Sequence, residues 1–200
     1  MARCDSKSKP WLFSRGNVAW LGLGGNVVGT WGHPVDSFRQ AITTMQNSGL
    51  RIIAISPVVS SPPLGRVRQP LYRNSVVAVS GPLSTAELLR LVKRLEREAG
   101  RRPGARWGAR PLDIDILSHG GRLIRAQAKS SRQGALVVPH PEAHRRGFVL
   151  VPLARLAPSW RHPRLGVTAR TLLARQPSLW RGIRVEAAPL LPIKEDNGCA

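Results

Sequence analysis

The chain has 200 residues and is 42% hydrophobic, which suits one globular domain with a sizeable core. Its 31 Lys and Arg against 11 Asp and Glu give a net charge of +20, which predicts attraction to polyanions unless it only reflects an arginine-rich proteome. Cys4 and Cys199 lie at opposite ends, and no signal-peptide core or membrane-length apolar run is present in the sequence. These features argue against a disulfide framework, secretion and a membrane span, and we expect a cytoplasmic protein.

Short apolar runs and helically spaced apolar residues alternate along the first half of the chain. Residues 1–16 are polar and basic, so we expect a disordered N-terminal extension. The run NVAWLGL ends at Gly24 and Gly25, as a buried strand does at a turn. This half predicts strands at 17–23, 50–56 and 73–79, a helix at 34–47, and a Pro- and Gly-rich loop at 60–70.

The helix at 84–99 has the clearest local signals. Ser84 and Glu87 form a capping box, and Gly100 is placed to end the helix. The rest of the chain predicts a basic loop at 101–110, a strand that carries Asp113 and Asp115, a hairpin turn at Gly120–Gly121 into 122–124, helices at 147–156 and 168–175, and a C-terminal tail at 176–200. This order favours an α+β domain at 17–175 with a mixed or antiparallel sheet.

The segment at 107–117, WGARPLDIDIL, carries the strongest chemical signal. Asp113 and Asp115 alternate with apolar residues, so a strand would turn both carboxylates to one face, with Cα atoms about 6.5 Å apart. Two like charges on one face need a cation between them. Carboxylates beside guanidinium groups suggest a site for metal ions and phosphates together. The arginines just upstream are Arg101, Arg102, Arg106 and Arg110.

The glycine-rich turn GLGGN at 22–26 does not match a known phosphate-binding loop. It lacks the third glycine of a dinucleotide fingerprint, and it is not followed by the GK[ST] that a P-loop requires. ATP bound by this chain would therefore be held by the arginine loop and by metal ions.

Four segments together resemble the 6-hydroxymethyl-7,8-dihydropterin pyrophosphokinase family of the folate pathway. The signatures RWG-x-R-x-LD-x-D and PHP-x-x-x-x-RGF-x-L-x-PL are specific, and the segments follow the family's order across 17–175. The segments are LGLGGN (21–26), SSPPLGRVRQPLYRN (60–74), 96–117 and VPHPEAHRRGFVLVPL (138–153). The resemblance implies a ferredoxin-like α/β sandwich that moves a pyrophosphoryl group from ATP to the hydroxymethyl group of a reduced pterin and releases AMP.

The resemblance also implies the residues that act on ATP. Asp113 and Asp115 are implied as catalytic ligands of two magnesium ions, with ATP as the co-substrate. Arg101 and Arg110 are implied as catalytic arginines around the phosphates. Glu96 could equally serve only as a local partner of a lysine three residues before it. Further ATP contacts are implied at Glu96, Arg106, Trp107, Ile116, His140 and Arg146.

One position in the arginine loop departs from the family pattern. Pro103 stands where family members often have a second phosphate-binding arginine. Arg102 is adjacent and could replace it. The closure of this loop over ATP is therefore an open question.

A pterin pocket is implied by a second group of residues. Tyr72 and Phe148 match the family's stacking pair, although both could instead only pack in the core. Asn74 lies on the same side of a strand as Tyr72 and could read the edge of the pterin ring. The loop that resembles the rest of this pocket contributes backbone groups of Ser61, Pro62, Leu64 and Gly65.

Two other functions stay open from the residues alone. A nucleic-acid-binding α/β module would use the positive charge and six Trp, although the sequence has no recognition-helix or RNP-like pattern. A degenerate family member would bind without catalysis, but the two aspartates and the aromatic pair are retained. We expect a monomeric enzyme whose partners are ATP and 6-hydroxymethyl-7,8-dihydropterin, with no nucleic acid and no membrane.

Overall fold

A central antiparallel sheet carries the helices of this domain. The computed structural model describes residues 17–63, 68–102, 108–126, 136–186 and 190. The elements are β1 (Val18–Gly25), α1 (Pro34–Asn47), β2 (Arg51–Ile55), β3 (Val59–Ser61), β4 (Tyr72–Ser80), α2 (Thr85–Glu98), β5 (Asp113–His119), β6 (Ile124–Ala126), β7 (Leu136–Val138), α3 (Gly147–Leu156), α4 (Ala169–Ala174) and β8 (Arg184–Val185). Short 3-10 turns lie at Ala143–Arg145 and Pro177–Trp180.

The main sheet has the strand order β5-β1-β4-β3-β8. β1 pairs with β4 along its whole length, while β2 and β3 pair with the two ends of β4 on its other edge. The described pairings are all antiparallel, which confirms the predicted α+β class. β4 is therefore central to the sheet, and it brings residues near Tyr72 beside the glycine end of β1.

Both faces of the sheet are covered by apolar layers. Val77 and Val79 of β4 belong to the core formed with α1 and α2. Val76 and Ala78, which point the other way, belong to the core formed with α3 and α4. The period of two along β4 explains why one strand supplies both layers, and why it is apolar at each of these positions.

The helices match their predicted positions, since the signals that start and end them are local. α1 spans the predicted residues, and Ser84 and Glu87 form the predicted capping box at the start of α2. Gly100 ends this helix with a φ of +97°.

Two strand predictions are wrong. β3 lies at the edge of a segment predicted as loop, and it forms a strand by pairing with β4 on one side and with the distant β8 on the other. Gly120 and Gly121 have positive φ and reverse the chain, but β6 then pairs with β7 and not with β5. Turn residues specify that the chain reverses direction. They do not specify which strand pairs with the next one, and here β6 pairs with β7, whose Val138 is buried.

The sheet extends past the domain end expected at residue 175, because β8 adds a strand next to β3. No helix in the described part of the chain has both the length and the hydrophobicity needed to cross a bilayer.

Candidate active site

A cavity of about 270 Å³ opens where β1, β4 and β5 meet the start of α3. It brings together most of the described residues that the sequence predicted for both substrates. We call Arg110, Asp113, Asp115 and Arg146 its charged half, and Ser61, Pro62, Tyr72, Asn74 and Phe148 its neutral half.

The two aspartates face the cavity from β5. Asp113 and Asp115 are partly exposed, whereas Ile114 and Ile116 between and after them are buried. The predicted alternation of carboxylate and apolar faces is thus present in the structure. Ile116 lies in the apolar core, so its side chain does not line the cavity.

Asp113 is held by two arginines. Arg101 donates to one of its carboxylate oxygens, and Arg110 donates to the other at 2.6 Å. Burial acts to raise the pKa of Asp113, but the two guanidinium groups outweigh burial and lower that pKa. Asp113 is therefore a carboxylate at neutral pH, and its oxygens already have cationic partners.

Asp115 has looser surroundings. Its Oδ2 lies 3.9 Å from Nε2 of His140 and 3.9 Å from a terminal nitrogen of Arg146. Both distances exceed a hydrogen bond. Burial raises the pKa of Asp115, and the nearby charge of Asp113 raises it further. A cation at this position would relieve that repulsion, so Asp115 is the more open of the two carboxylates.

Glu96 lies behind the charged half and does not line the cavity. Its carboxylate is 2% exposed, pairs with Lys93 at 2.8 Å and with Arg101 at 2.7 Å, and accepts from the N–H of Ile114 at 2.8 Å. Burial raises its pKa, against the opposing effect of Lys93. The predicted local pair with Lys93 is thus present, and Glu96 also orients Arg101 and β5.

His140 is neutral and has a defined tautomer. The N–H of Glu142 donates to Nδ1 of His140 at 3.2 Å, which leaves the ring hydrogen on Nε2. Burial lowers the pKa of His140, although the Asp115 carboxylate acts in the opposite direction. At neutral pH its Nε2–H is therefore a donor on the Asp115 side of the site.

The neutral half is built from two paired strands and the start of α3. Nδ2 of Asn74 donates to Oγ of Ser61 at 2.9 Å, across the pairing of β4 and β3. Phe148 lines the cavity from the start of α3, and the guanidinium of Arg146 is 5.8 Å from the centre of its ring. Burial raises the pKa of Tyr72, whose hydroxyl donates to the Gly108 carbonyl at 3.3 Å.

Sequence reasoning missed the positioning role of Asn26. Its side chain accepts from the N–H of Arg110 at 2.9 Å and donates to Gln69 at 3.0 Å and to the Pro70 carbonyl at 3.3 Å. It thus ties together the segments that precede Tyr72 and Asp113. In the sequence, only the GLGGN turn marks this position. The structure explains its Gly25, because a Cβ there would overlap the Pro111 carbonyl.

Four predicted site residues lie outside the described residues. They are Leu64, Gly65, Arg106 and Trp107.

The charged half has donors that suit magnesium shared with phosphates. Mg²⁺ is commonly bound by one or two carboxylates, with substrate phosphates and water as its other ligands. Within the described ranges no group of three or more His, Cys, Asp or Glu is arranged so that it could hold a metal ion, so oxygens from outside the protein would have to complete the coordination. Asp113 and Asp115 fit such a shared site. The neutral half instead suits a flat ring with hydrogen-bonding edges.

Comparisons with known proteins match the chain to pterin pyrophosphokinases. The model of the family "7,8-dihydro-6-hydroxymethylpterin-pyrophosphokinase (HPPK)" matches residues 20–158. The 2-amino-4-hydroxy-6-hydroxymethyldihydropteridine pyrophosphokinase of Synechocystis sp. is 36% identical over 156 residues, which cover 78% of this chain and 74% of the relative. The Haemophilus influenzae enzyme of the same name is 36% identical over 141 residues, which cover 70% and 81% of the two chains.

Solved structures share the fold. The Plasmodium falciparum HPPK-DHPS protein superposes with a TM-score of 0.64 in its crystal structure with SDX-DHP, at 15% identity. The TM-score is 0.67 for the structure with pteroate, also at 15% identity. Each match covers 84% of this chain and 47% of the other, so the chain spans about half of that protein's length. At this identity the likeness concerns the fold alone.

Proposed function

The chain belongs to the 7,8-dihydro-6-hydroxymethylpterin-pyrophosphokinase family, and on that basis we propose which of its residues carry out the reaction. It is a transferase of folate biosynthesis that moves pyrophosphate from ATP to the hydroxymethyl group of 6-hydroxymethyl-7,8-dihydropterin and releases AMP. One observation carries the residue assignment: a single cavity combines two aspartates and two arginines with an aromatic pair and an amide.

The chemistry requires positioning and charge neutralisation. The hydroxymethyl oxygen forms a bond to the β-phosphorus of ATP, the bond from that phosphorus to the α–β bridging oxygen breaks, and the hydroxyl proton is lost. A protein assists such a transfer chiefly by aligning the two substrates and by balancing the charge on the phosphates. Both requirements match the division of the cavity into a charged and a neutral half.

The charged half would bind the triphosphate. Asp113 and Asp115 would hold two magnesium ions together with phosphate oxygens, and the metal would supply charge neutralisation and a template for the reacting groups. Arg110 and Arg146 line the cavity beside them and would contact the phosphates directly. Arg101 shares Asp113 with Arg110, so its guanidinium would be available to a phosphate where Asp113 holds a metal ion.

Two further residues are assigned around the charged half. His140 offers a neutral Nε2–H donor beside Asp115, suited to a phosphate or ribose oxygen. We assign Glu96 the role of holding Arg101, since it is buried behind that guanidinium. The contacts predicted for Arg106, Trp107 and Ile116 remain predictions.

The neutral half would bind the pterin. Tyr72 and Phe148 would enclose the two faces of the ring, and their area would leave water on binding. Asn74 would read the ring edge with its side-chain carbonyl or with the second hydrogen of its amide, because the bond to Ser61 uses only one of its two amide hydrogens. Pro62 lines the same half, and the contacts predicted for Leu64 and Gly65 remain predictions.

The decisive experiment is to measure AMP release from ATP and 6-hydroxymethyl-7,8-dihydropterin with and without magnesium. AMP that requires both the pterin and magnesium supports the assignment. ADP would indicate transfer of a single phosphoryl group, and no turnover by a folded protein would favour a degenerate member that binds without catalysis.

We also propose that the enzyme acts as a cytoplasmic monomer. Residues assigned to both substrates come from the same chain, so the proposed site does not call for a residue from a second copy. The two cysteines lie far apart in sequence, which suits a reducing compartment. Light scattering during gel filtration, with and without ATP, tests the oligomeric state.

A further inference from the structure

A segment beyond the family match packs against both walls of the neutral half. The family match ends at residue 158, whereas the described chain continues through α4 and β8 to residue 186. Leu172 and Leu173 of α4 are buried in the same core as α3, which anchors this part of the chain. We call residues 177–186 the C-terminal brace.

The brace supports the strand that carries Ser61. β8 pairs with β3, so that β3 has a strand on each side and no open edge over the paired residues. The N–H of Glu186 donates to the Val58 carbonyl at 2.8 Å. The carboxylate of Glu186 pairs with Arg73 at 2.6 Å, next to Tyr72. The wall formed by β3 and the start of β4 is thus joined to the brace by main-chain and side-chain bonds.

The brace also touches Pro62 directly. Gly182 has a φ of +71°, and a Cβ added there would lie 3.1 Å from both Cγ and Cδ of Pro62. That distance is tighter than ordinary van der Waals contact, so a side chain at residue 182 would press on the proline that lines the cavity. Glycine therefore permits this approach both by its φ and by its size.

The second wall meets the brace just before Phe148. A Cβ added to Gly147 would overlap the carbonyl oxygen of Leu179, so the two backbones are in close contact. Leu179 and Ile183 also pack in the apolar cluster that includes Phe148. One short segment therefore contacts both the Pro62 wall and the Phe148 wall.

We propose that the C-terminal brace is a positioning element for pterin binding. It sets the separation of the two walls, so that the gap between them suits a flat ring before the ligand arrives. A preformed gap improves affinity because binding does not have to order the walls. This inference rests on the proposed function, specifically on the assignment of the neutral half to the pterin.

Two glycine variants provide a matched test. Gly182→Ala and Gly166→Ala place a side chain at similar positive φ values, +71° and +67°, but a Cβ at Gly166 meets nothing within 4 Å. Calorimetry would measure Kd for 6-hydroxymethyl-7,8-dihydropterin at saturating magnesium and α,β-methylene-ATP, and Kd for the ATP analogue separately. We expect Gly182→Ala to raise the pterin Kd about tenfold above that of Gly166→Ala, with equal Kd values for the analogue.

A second variant keeps the test decisive if Gly182→Ala does not fold. Glu186→Gln retains the main-chain bonds of the brace but removes its charge pairing with Arg73. We expect KM for the pterin to rise about two- to threefold, with kcat at saturating pterin unchanged. A role limited to stability would lower the melting temperature without this separation of KM from kcat.

The outcomes separate the brace from the proposed function. Equal pterin Kd values for the two glycine variants, or an unchanged pterin KM in Glu186→Gln where Gly182→Ala does not fold, would overturn the role of the brace. A parallel loss of affinity for both ligands would overturn it too, since that indicates a general loss of structure. If the wild type itself binds no pterin, the proposed function fails first.

Discussion

The two halves of the cavity are held by different kinds of interaction. In the charged half, Asp113 is positioned by ion pairs with Arg101 and Arg110. In the neutral half, Asn74 and Ser61 are positioned by the pairing of their strands. Ion pairs can exchange partners when a phosphate or a cation arrives, whereas a strand pairing changes only if the sheet opens. We therefore expect the charged half to control the rate and the neutral half to control pterin affinity.

The largest expected effect is in the charged half. Asp115→Ala should lower kcat by at least about 1000-fold, since the loss of a metal ligand removes several kcal/mol of charge stabilisation. AMP release measures the effect, and pterin affinity should stay near that of the wild type. Asp36→Ala is the control, because Asp36 is exposed and lies in a surface ion pair with Arg39. Turnover within tenfold of the wild type would contradict the metal-ligand role.

The neutral half should respond in binding. Phe148→Ala should raise the pterin Kd about 10- to 100-fold through lost stacking and apolar area, with little change for the ATP analogue. Phe148→Tyr keeps the ring and is the matched control, with an expected change of no more than about threefold. An unchanged pterin Kd in Phe148→Ala would remove this residue from the pterin site.

Glu96, behind the charged half, should affect both the stability of the domain and the binding of ATP. Glu96→Gln should lower the free energy of unfolding by about 1–3 kcal/mol, because Arg101 and Lys93 lose a buried partner charge. It should weaken binding of the ATP analogue more than binding of the pterin. Glu98→Gln on the same helix is the control, since its pair with Arg94 is exposed and spans 3.7 Å. Urea unfolding measures the free energy of unfolding of both variants. Equal decreases in Glu96→Gln and Glu98→Gln would contradict the role of Glu96.

The smallest expected effect on activity lies outside the cavity, in the pH dependence of folding. Burial, with His144 nearby, lowers the pKa of His162 to about 4 from 6.5, so the unfolded chain takes up a proton first as the pH falls. The neutral His162 therefore contributes its full stabilisation of the fold above pH 6.5. As the pH falls from 6.5 towards 4, the free energy of unfolding decreases by at most about 1.4 kcal/mol per pH unit.

His162→Asn tests this contribution. The Asn side-chain oxygen can replace Nδ1 of His162, which accepts from the N–H groups of Arg164 and Leu165. Between pH 6.5 and 4.5 we expect the variant's unfolding free energy to fall less steeply than that of the wild type. Parallel slopes would show that the acid sensitivity arises elsewhere, for example among the carboxylates of the charged half.

Local patterns in the sequence were sufficient for the helices and for the face of the aspartates. α1 and α2 follow from apolar spacing and from the Ser84 capping box, which act within a few residues. The alternation at Asp113 and Asp115 acts over the same short range. β3 and the partner of β6 could not be predicted this way, because a strand pairing depends on contacts between two segments and not on the pattern within either one.

The fold class, the family and most of the predicted lining of the cavity can be inferred from the amino-acid sequence, because they depend on local periodicity and on motifs in a set order. The partner that each side chain takes follows from the packing of the folded chain. This packing places Glu96 behind Arg101, Asn26 between Gln69 and Arg110, and the C-terminal brace against Pro62. Such contacts depend on how the sheet and helices pack, and no pattern within a short stretch of chain encodes them.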